Sequence, residues 1–336
     1  MYRNNDFIYD AAVRLENCIK MPVTIESTRI DYDAVLSIKE KQFTVTAKTE
    51  IRTANKGIIL AQLKELETKS SRPIIIIAKF IASDIAQELK EKAINYLDVA
   101  GNAFIKKDDF FIYVAGQKPQ KNKKTNQTRA FQETGIKLIF SLLTNPYNLQ
   151  LSYRVLAERT DIAIGSVSNV MKELEDLNFI LKTDTKRILK NKPELLNRWI
   201  VAYQDVLRPR LLKRKMRFID KSKYNNWKAM LESPTDGAIL WSGEPAAAFL
   251  TNYLKPALFT IYTTKSWQEC SKLFEMIPDE NGDIEILTIF WNLEPDRTDK
   301  PIVPPVLIYT DLINSGSDRN LETAKIILDN ELQNIK

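Results

Sequence analysis

Residues 116–129, GQKPQKNKKTNQTR, interrupt the chain with five positive charges, no acidic residue and almost nothing apolar. Such a segment cannot contribute to a hydrophobic core and is typical of a linker. A group of turn-forming residues, Ser-Pro-Thr-Asp-Gly at 233–237, marks a second change in composition. A chain of 336 residues has the length of two or three domains. We therefore predict three domains, residues 1–116, 117–225 and 226–336.

The basic residues are concentrated in the middle of the chain. The net formal charge is +1 for residues 1–116, +13 for 117–223 and −8 for 224–336. Because neutralising phosphates supplies most of the nonspecific affinity for DNA, the middle part favours nucleic-acid binding. The acidic C-terminal part should repel nucleic acid and suits a protein or effector surface.

The chain has no histidine and only two cysteines, Cys18 and Cys270. This excludes Ser-His-Asp and Cys-His nucleophiles, as well as zinc sites with histidine ligands or a C-x-x-C motif. No apolar run approaches the roughly 20 residues that span a bilayer, and no secretion signal is found at the start of the chain. We predict a cytoplasmic protein in a reducing compartment, with no membrane partner and no bound cofactor.

The middle segment predicts three helices followed by a hairpin. The helices are expected at 128–143, at 152–160 and from 166 onward, and the hairpin strands at 179–182 and 186–189. This order is that of a winged helix-turn-helix. The alternative is that a helix trio of this kind serves as a protein-interaction module.

The third helix of this segment would be the recognition helix. Small hydroxyls and an amide at its N-terminus can approach phosphates and base edges, while cationic hairpin residues contact the phosphate backbone. The predicted DNA-binding residues are Arg154, Ser166, Ser168, Asn169, Lys172, Lys182, Lys186 and Arg187. Pro193 should then begin a long basic helix that runs to residue 223. The alternative interpretation is that this segment is a solvated basic connector.

The N-terminal third predicts helices and strands in the order αβββαβαβ of a restriction-endonuclease-like core. Helices are expected at 6–19, at 55–67 and from Ser83 or Asp84, and strands at 23–30, 33–39, 43–48, 73–78, 96–99, 103–106 and 110–115. In that fold an Asp and an E-x-K motif on the next strand hold Mg²⁺ and activate water.

Two of the three nuclease positions are occupied here. Asp33 and Lys48 are in place, but Thr46 stands where the second carboxylate belongs. Because a neutral hydroxyl is a poor ligand for a hard cation, we predict no catalytic residue, no metal site and no enzymatic activity. The alternative is an Mg²⁺-dependent nuclease in which Glu50 replaces the missing carboxylate.

The C-terminal third predicts an α/β domain. Strands are expected at 237–241, 258–262, 284–291 and 306–309, and helices at 244–254, 267–276 and 320–332. Around a Ser-Gly-Ser turn lie Asp311, Asp318, Arg319 and Glu322, for which helix capping with a salt bridge is a simpler explanation than a ligand or metal pocket. The predicted fold class of the chain is α+β multidomain, with a degenerate restriction-endonuclease-like domain, a winged helix-turn-helix and an α/β domain.

Several stretches of the chain are similar to one protein family. They are residues 74–105, the winged-helix segment with 194–212, and residues 237–262 and 303–324. The most specific pieces are Leu97-Asp98-x-Ala100-Gly101-Asn102-Ala103 and Gly243-Glu244-x-Ala246-Ala247. In these stretches the chain resembles the AbiEi-type antitoxins of type IV toxin-antitoxin and abortive-infection systems.

The resemblance implies a sequence-specific transcriptional repressor that binds double-stranded promoter or operator DNA. It also implies a cognate nucleotidyltransferase-like toxin, which the antitoxin opposes with or without touching it. Members of the family often carry a complete E-x-K strand, from which Thr46 departs. The alternative mode of action is direct contact with the toxin through the acidic C-terminal domain. The sequence is also compatible with a homo-oligomer.

Overall fold

The computed structural model describes residues 6–27, 33–53, 55–118, 129–231, 237–292 and 301–335. It is a mixed α+β structure, as the sequence predicted at this coarse level. The chain forms two compact units, Met1–Thr125 and Asn126–Lys336, here called unit 1 and unit 2. The segments predicted as second and third domains thus lie in one unit. Within the described ranges, no helix is both long and apolar enough to cross a bilayer.

Unit 1 is built on a seven-stranded sheet whose strands follow the order of the sequence. The strands are β1 (Val23–Ser27), β2 (Ala34–Ile38), β3 (Lys41–Ile51), β4 (Ile74–Ile81), β5 (Asn95–Asp98), β6 (Ala103–Lys107) and β7 (Phe110–Val114), and the helices are α1 (Asp6–Ile19), α2 (Lys56–Lys69) and α3 (Ser83–Glu91). The neighbours β3, β4 and β5 are parallel, and the other pairs are antiparallel. The predicted order of elements is confirmed, while residues 28–30 of the first predicted strand lie outside the described residues.

Two hydrophobic cores lie on the two faces of this sheet, because successive side chains of a strand alternate between its faces. Helix α1 covers one face, where Leu15 joins a core with Val45 and Ile77. Helices α2 and α3 cover the other face with Leu63 and Leu89. Strand β4 begins with five consecutive buried residues because it is covered on both sides, as is usual for a central parallel strand.

The first part of unit 2 contains the helices and the hairpin predicted for the middle segment. The helices are α4 (Glu133–Thr144), α5 (Tyr153–Thr160) and α6 (Ile164–Asp176), and the hairpin strands are β8 (Ile180–Lys182) and β9 (Arg187–Leu189). A 3-10 turn at Arg129–Phe131 stands where the first helix was expected to begin. Ser152 caps α5, since its hydroxyl accepts a hydrogen bond from the Val155 N–H (3.4 Å).

The long basic helix predicted from Pro193 to residue 223 is wrong beyond residue 211. Helix α7 (Lys192–Ala202) continues through a π-helical turn (Tyr203–Leu207) into α8 (Arg208–Leu211), after which the chain forms strand β10 (Leu212–Phe218). In β10 the buried Met216 and Phe218 lie on either side of an exposed Arg217, which is the alternation of a strand. In the sequence this alternation is hard to recognise, because four of the seven residues of β10 are Lys or Arg.

Strand β10 belongs to a five-stranded sheet with the order β11-β12-β14-β10-β13. The remaining elements are the strands β11 (Ile239–Ser242), β12 (Phe259–Thr263), β13 (Met276–Pro278) and β14 (Ile284–Thr288), and the helices α9 (Trp227–Leu231), α10 (Gly243–Thr251), α11 (Trp267–Phe274), α12 (Pro305–Ser315) and α13 (Asp318–Glu331). Strands β12 and β14 are parallel, with Ile261 opposite Ile286, and the other pairs are antiparallel.

The strand predicted at 306–309 is wrong, because these residues belong to helix α12. Residues 306–313 are all buried, and an apolar run buried on every side has the same pattern in a strand and in a helix. Pro304 and Pro305, at the N-cap and the first helical position, favour the start of a helix.

A cluster of aromatic rings joins α4 to the C-terminal part of unit 2. Trp199 of α7 is stacked between Phe140 and Tyr203, with ring centroids 5.6 and 5.0 Å away. Phe140 also contacts Phe290, which follows β14 (5.0 Å between centroids). The indole N–H of Trp199 donates to the Ile136 carbonyl (2.8 Å), so the polar atom of this buried ring is paired. The cluster thus fixes α4 against the C-terminal sheet.

Phe140→Ala should lower the free energy of unfolding of unit 2 by about 3–5 kcal/mol, because it removes a buried ring from this cluster. Tyr147→Ala is the matched control. Since the Tyr147 ring is 83% exposed, its loss should change that free energy by less than about 0.5 kcal/mol. Urea unfolding followed by tryptophan fluorescence measures both variants, and equal effects would contradict the importance of the cluster.

Candidate nucleic-acid interface

Helix α6 buries one side and exposes the other. The buried residues are Val167, Val170, Met171 and Leu174, and the exposed ones include Gly165, Ser168, Asn169 and Lys172. The exposed residues recur three or four positions apart, so they share one face of the helix. Three of the predicted DNA-binding residues therefore lie together. Their hydroxyl, amide and ammonium groups are suited to base edges and phosphates.

No side chain caps the N-terminus of α6. The N-cap residue is Ala163, and the first turn contains no acidic residue. The first amide groups consequently keep the partial positive charge of the helix dipole, which is favourable near a phosphate. Ser166, also a predicted DNA-binding residue, lies in this turn and is half-buried.

The hairpin β8–β9 follows α6 along the chain. Lys182 lies opposite Arg187 across the two strands, and the Thr183 hydroxyl donates to the Lys186 carbonyl (2.8 Å) to close the turn. Lys182 and Lys186 are exposed, and so is Arg154 on α5. These three cations can reach a phosphate backbone without losing contacts within the protein, because exposed long side chains are already solvated.

Arg187 is held by the protein itself. Its Nη2 donates to the Leu151 carbonyl (3.1 Å), and its guanidinium lies over the ring of Tyr153 at 5.2 Å from the centroid. The backbone of Arg187 also exchanges hydrogen bonds with the Gln150 side chain. Arg187 therefore anchors the hairpin to the turn before α5, a role that the sequence did not indicate.

The charge of unit 2 is nearly balanced. The net formal charge is +1 over residues 126–336 and +2 over 129–190, which contain α4 to β9. The excess attributed to the winged-helix segment comes from residues 117–125 and from 191–223. The net charge of the winged-helix segment therefore supports DNA binding less than the sequence indicated. The side chains exposed on α6 support it more directly.

Basic residues between 198 and 223 neutralise acidic residues of the C-terminal part. Arg208 Nη2 donates to Glu285 Oε2 (2.5 Å), and Lys223 Nζ lies 2.8 Å from Glu275 Oε2. Glu285 and Glu275 are thus neutralised within unit 2. They belong to the acidic part of the sequence that had suggested a protein or effector surface. Arg208, Lys215, Arg217 and Lys223 of the +13 segment thus pair with acidic residues of the −8 segment.

In unit 1, the three nuclease positions lie on β3 and directly before β2. Asp33 Oδ2 accepts a hydrogen bond from the Ala47 N–H (2.8 Å). Thr46 is buried, and Lys48 Nζ donates to Gln62 Oε1 on α2 (2.6 Å). Asp33 and Lys48 thus both have contacts within the unit.

The carboxylate considered as a substitute ligand, Glu50, forms an ion pair with Arg52 (Oε2 to Nε, 2.9 Å). Among the residues that the structure describes, no three His, Cys, Asp or Glu side chains are grouped as a metal site requires.

Two buried carboxylates, Asp98 and Glu244, lie in the motifs on which the sequence resemblance is based, and each accepts several hydrogen bonds. Asp98 accepts hydrogen bonds from the backbone and side-chain nitrogens of Asn102 (both 2.8 Å), while burial raises the pKa of its carboxyl. Glu244 accepts from Arg319 Nη2 (2.6 Å) and Asn320 Nδ2 (2.8 Å). Glu244 is 3% exposed, so these partners offset the cost of burying its charge.

The polar cluster predicted around the Ser-Gly-Ser turn is divided between two places. Ser317 caps α13 by accepting from the Asn320 N–H (3.4 Å), and Arg319 pairs with Glu244, so capping with a salt bridge is confirmed. Asp311 instead accepts from the Ser242 hydroxyl (2.6 Å) inside the unit. The sequence could not reveal these partners because they lie about seventy residues away.

Residues 187–333 match the model of a family described as transcriptional regulator, AbiEi antitoxin, type IV TA system. The resemblance predicted from the sequence is confirmed over this segment, which runs from β9 to α13. No curated protein and no solved structure matches the chain.

Arg187→Ala should lower the free energy of unfolding of unit 2 by about 1–3 kcal/mol, since it removes a charged hydrogen bond and a cation–π contact. Lys186→Ala, one position earlier in the hairpin, is exposed and should change it by less than about 0.5 kcal/mol. Thermal or urea unfolding measures the difference. If both variants were equally stable, Arg187 would have no anchoring role.

Proposed function

Residues 187–333 match the model of the AbiEi antitoxin family, and from this match we propose that the protein is a transcriptional repressor acting as the antitoxin of a type IV system. It binds double-stranded promoter DNA through α6 and the hairpin β8–β9, which with α4 and α5 form a winged helix-turn-helix. The family-model match begins at Arg187 and does not include α4, α5 and α6. The role proposed for these three helices therefore rests on their own geometry.

The exposed face of α6 carries this proposal. Ser168, Asn169 and Lys172 share that face, next to a helix N-terminus without a side-chain cap or an acidic residue. Hydroxyl and amide groups contact base edges in the major groove, and amide N–H groups at a helix N-terminus favour phosphates. Both features support DNA as the partner over a protein partner, because the core of a protein–protein interface is depleted of charged residues and enriched in aromatic ones.

The low net charge of unit 2 favours sequence-specific binding over strong nonspecific binding. Arg154, Lys172, Lys182 and Lys186 are exposed cations on or beside α6. Each phosphate neutralised contributes about −0.9 to the slope of log affinity against log salt concentration, so these four contribute about −3 to −4.

We propose that the toxin is controlled through its expression. A nucleotidyltransferase-like toxin encoded with the repressor would be the regulated partner. This is supported by the internal ion pairs of the acidic C-terminal part, such as Arg208–Glu285 and Lys223–Glu275, which occupy charges that a toxin surface would otherwise contact.

For unit 1 we propose a restriction-endonuclease-like fold that has lost its catalytic site. Thr46 lacks the negative charge of a metal ligand, Asp33 accepts from a backbone N–H, and Lys48 donates to Gln62. The order of the elements, with a central parallel β3-β4-β5 and helices on both faces, supports the fold assignment.

Ser168→Glu combined with Lys172→Glu should weaken binding to the DNA upstream of the gene by at least about 100-fold, because two contacts are lost, two carboxylates face the phosphates and the charge of this face falls by three units. Electrophoretic mobility shifts at several salt concentrations measure the effect. The slope of affinity against salt should also become shallower by about 0.9 for the lost Lys172 contact.

The matched control is Lys325→Glu with Asn330→Glu, which makes the same change in charge at exposed positions of α13. It should retain binding within about threefold. If both double variants lost affinity equally, the effect would be one of net charge, and α6 would not be the recognition helix.

Incubation with Mg²⁺ or Mn²⁺ should leave plasmid DNA and RNA intact, because the metal site lacks a carboxylate at Thr46. Cleavage that Asp33→Ala abolishes would revive the nuclease alternative. Gel analysis with the Asp33→Ala variant as control also separates such activity from a contaminating nuclease.

A further inference from the structure

A polar cavity of about 260 Å³ lies within unit 2, between the segment that follows α7 and the C-terminal sheet and helices. Gln204 and Arg208 line it from the π-helical turn and α8, and Glu285 lines it from β14. Asn314 and Asn320 line it from the end of α12 and the start of α13. Its size suits a small metabolite rather than a macromolecule.

Three buried polar atoms in the lining have no hydrogen-bond partner among the described residues: Arg208 Nε, Asn314 Oδ1 and Asn320 Oδ1. Buried polar groups are nearly always paired, so each exception calls for an explanation. The side chain of Asn320 is completely buried, and its carbonyl oxygen nevertheless accepts from no described group. A bound small molecule that offers hydrogen-bond donors to the two amide oxygens and an acceptor to Arg208 Nε would pair all three atoms around this one cavity.

The Glu244 carboxylate fixes the orientation of the Asn320 amide. Asn320 Nδ2 donates to Glu244 Oε1 and to the Ser315 hydroxyl (both 2.8 Å), so rotating this amide would place its oxygen against an oxygen of Glu244. Asn314 Nδ2 donates to the amide oxygen of Gln204 (2.9 Å), which leaves Asn314 Oδ1 without a partner among the described residues. The two carbonyl oxygens are therefore the free groups, and both require a hydrogen-bond donor.

The charges of the lining select the sign of the ligand. The acidic residues of the lining are Glu244, Asp283, Glu285 and Asp311, and the basic ones are Arg208 and Lys215. Arg319 pairs with Glu244 from outside the lining, so carboxylates exceed cations by one around the cavity. Arg208 is already neutralised, since it donates to Glu285 (2.5 Å) and its Nε lies 3.7 Å from Asp311 Oδ1. A phosphate or carboxylate would be repelled, while a cation with N–H donors would be attracted.

We propose that this cavity binds a small organic cation whose ammonium or guanidinium N–H groups donate to Asn314 Oδ1 and Asn320 Oδ1. The excess of carboxylates over cations in the lining balances the ligand's charge. Arg208 Nε remains as a donor for a hydroxyl or carbonyl group of the ligand.

The cavity also has a direct connection to the helices that the proposed function assigns to DNA. Gln204 belongs to the π-helical turn that continues α7, and π-helical turns are frequent at functional sites. Trp199 of α7 packs on Phe140 of α4, so a shift of this turn is transmitted to the helix trio. We therefore assign the cavity as an effector site that changes DNA affinity, and this second step rests on the proposed function.

Isothermal titration of the full chain with putrescine and agmatine tests the site without DNA. Both should bind, and adipate, which carries two carboxylates on the same four-carbon chain as putrescine, should not. Asn314→Leu should weaken binding by about tenfold or more, whereas Asn314→Asp, which keeps an acceptor and adds a charge, should bind at least as tightly. Asn226→Leu, at an exposed position outside the cavity, should have no effect.

Three results would overturn the site: no heat with either amine, equal binding of adipate, or unchanged affinity in Asn314→Leu. Because Asn320→Leu leaves Glu244 with one partner fewer and can impair folding, Asn314 is the residue to test. Circular dichroism of each variant shows whether the fold is kept.

Mobility shifts with the same amines test the second step. Because these amines also bind DNA, the Asn314→Leu variant provides the baseline, and only the native chain should show an additional change in affinity. Amine binding with no difference between native and variant would overturn the regulatory role. Amine binding by a chain that does not shift DNA would instead contradict the proposed function and leave the site intact.

Discussion

The stack of Phe140, Trp199 and Tyr203 is the interaction on which unit 2 depends. It joins α4 of the helix trio to α7 and, through Phe290, to the C-terminal sheet. Tyr203 also connects this stack to strand β12, because its hydroxyl is hydrogen-bonded to that of Tyr262. The proposed DNA-binding helices are thus one body with the AbiEi-type segment, and the cavity beside Arg208 lies next to this junction.

The sequence predicted much of the fold because its local patterns are clear. The alternation around β2 and β3, the helical spacing in α6 and the turn residues of the hairpin each identified an element. Strand β10 was mistaken for a helix because its apolar residues lie among cations, and α12 was mistaken for a strand because it is buried on every side. Local signals were present in both, the alternation at Met216 and Phe218 and the prolines before α12, but the tertiary contacts decided the structure.

The candidate sites were only partly predictable. The face of α6 follows from helical spacing, so Ser168, Asn169 and Lys172 could be selected from the sequence. The anchoring role of Arg187 depends on Leu151 and Tyr153, which the hairpin pattern does not contain. The cavity depends on Arg208 together with Asn314 and Asn320, which follow it by more than a hundred residues and form no motif with it. The net charge of the middle segment likewise did not reveal that Arg208 and Lys223 pair with Glu285 and Glu275 of the acidic C-terminal part.

The central claim is that DNA is bound by α6 and the hairpin of unit 2. Hydrogen–deuterium exchange of the full chain with and without its upstream DNA tests it most directly, because it reports the contact without any substitution. We predict slower exchange in the first two turns of α6 and in β8–β9, with no change in the β3-β4-β5 region of unit 1. Protection confined to unit 1, with α6 unaffected, would contradict the claim and would assign nucleic-acid binding to unit 1.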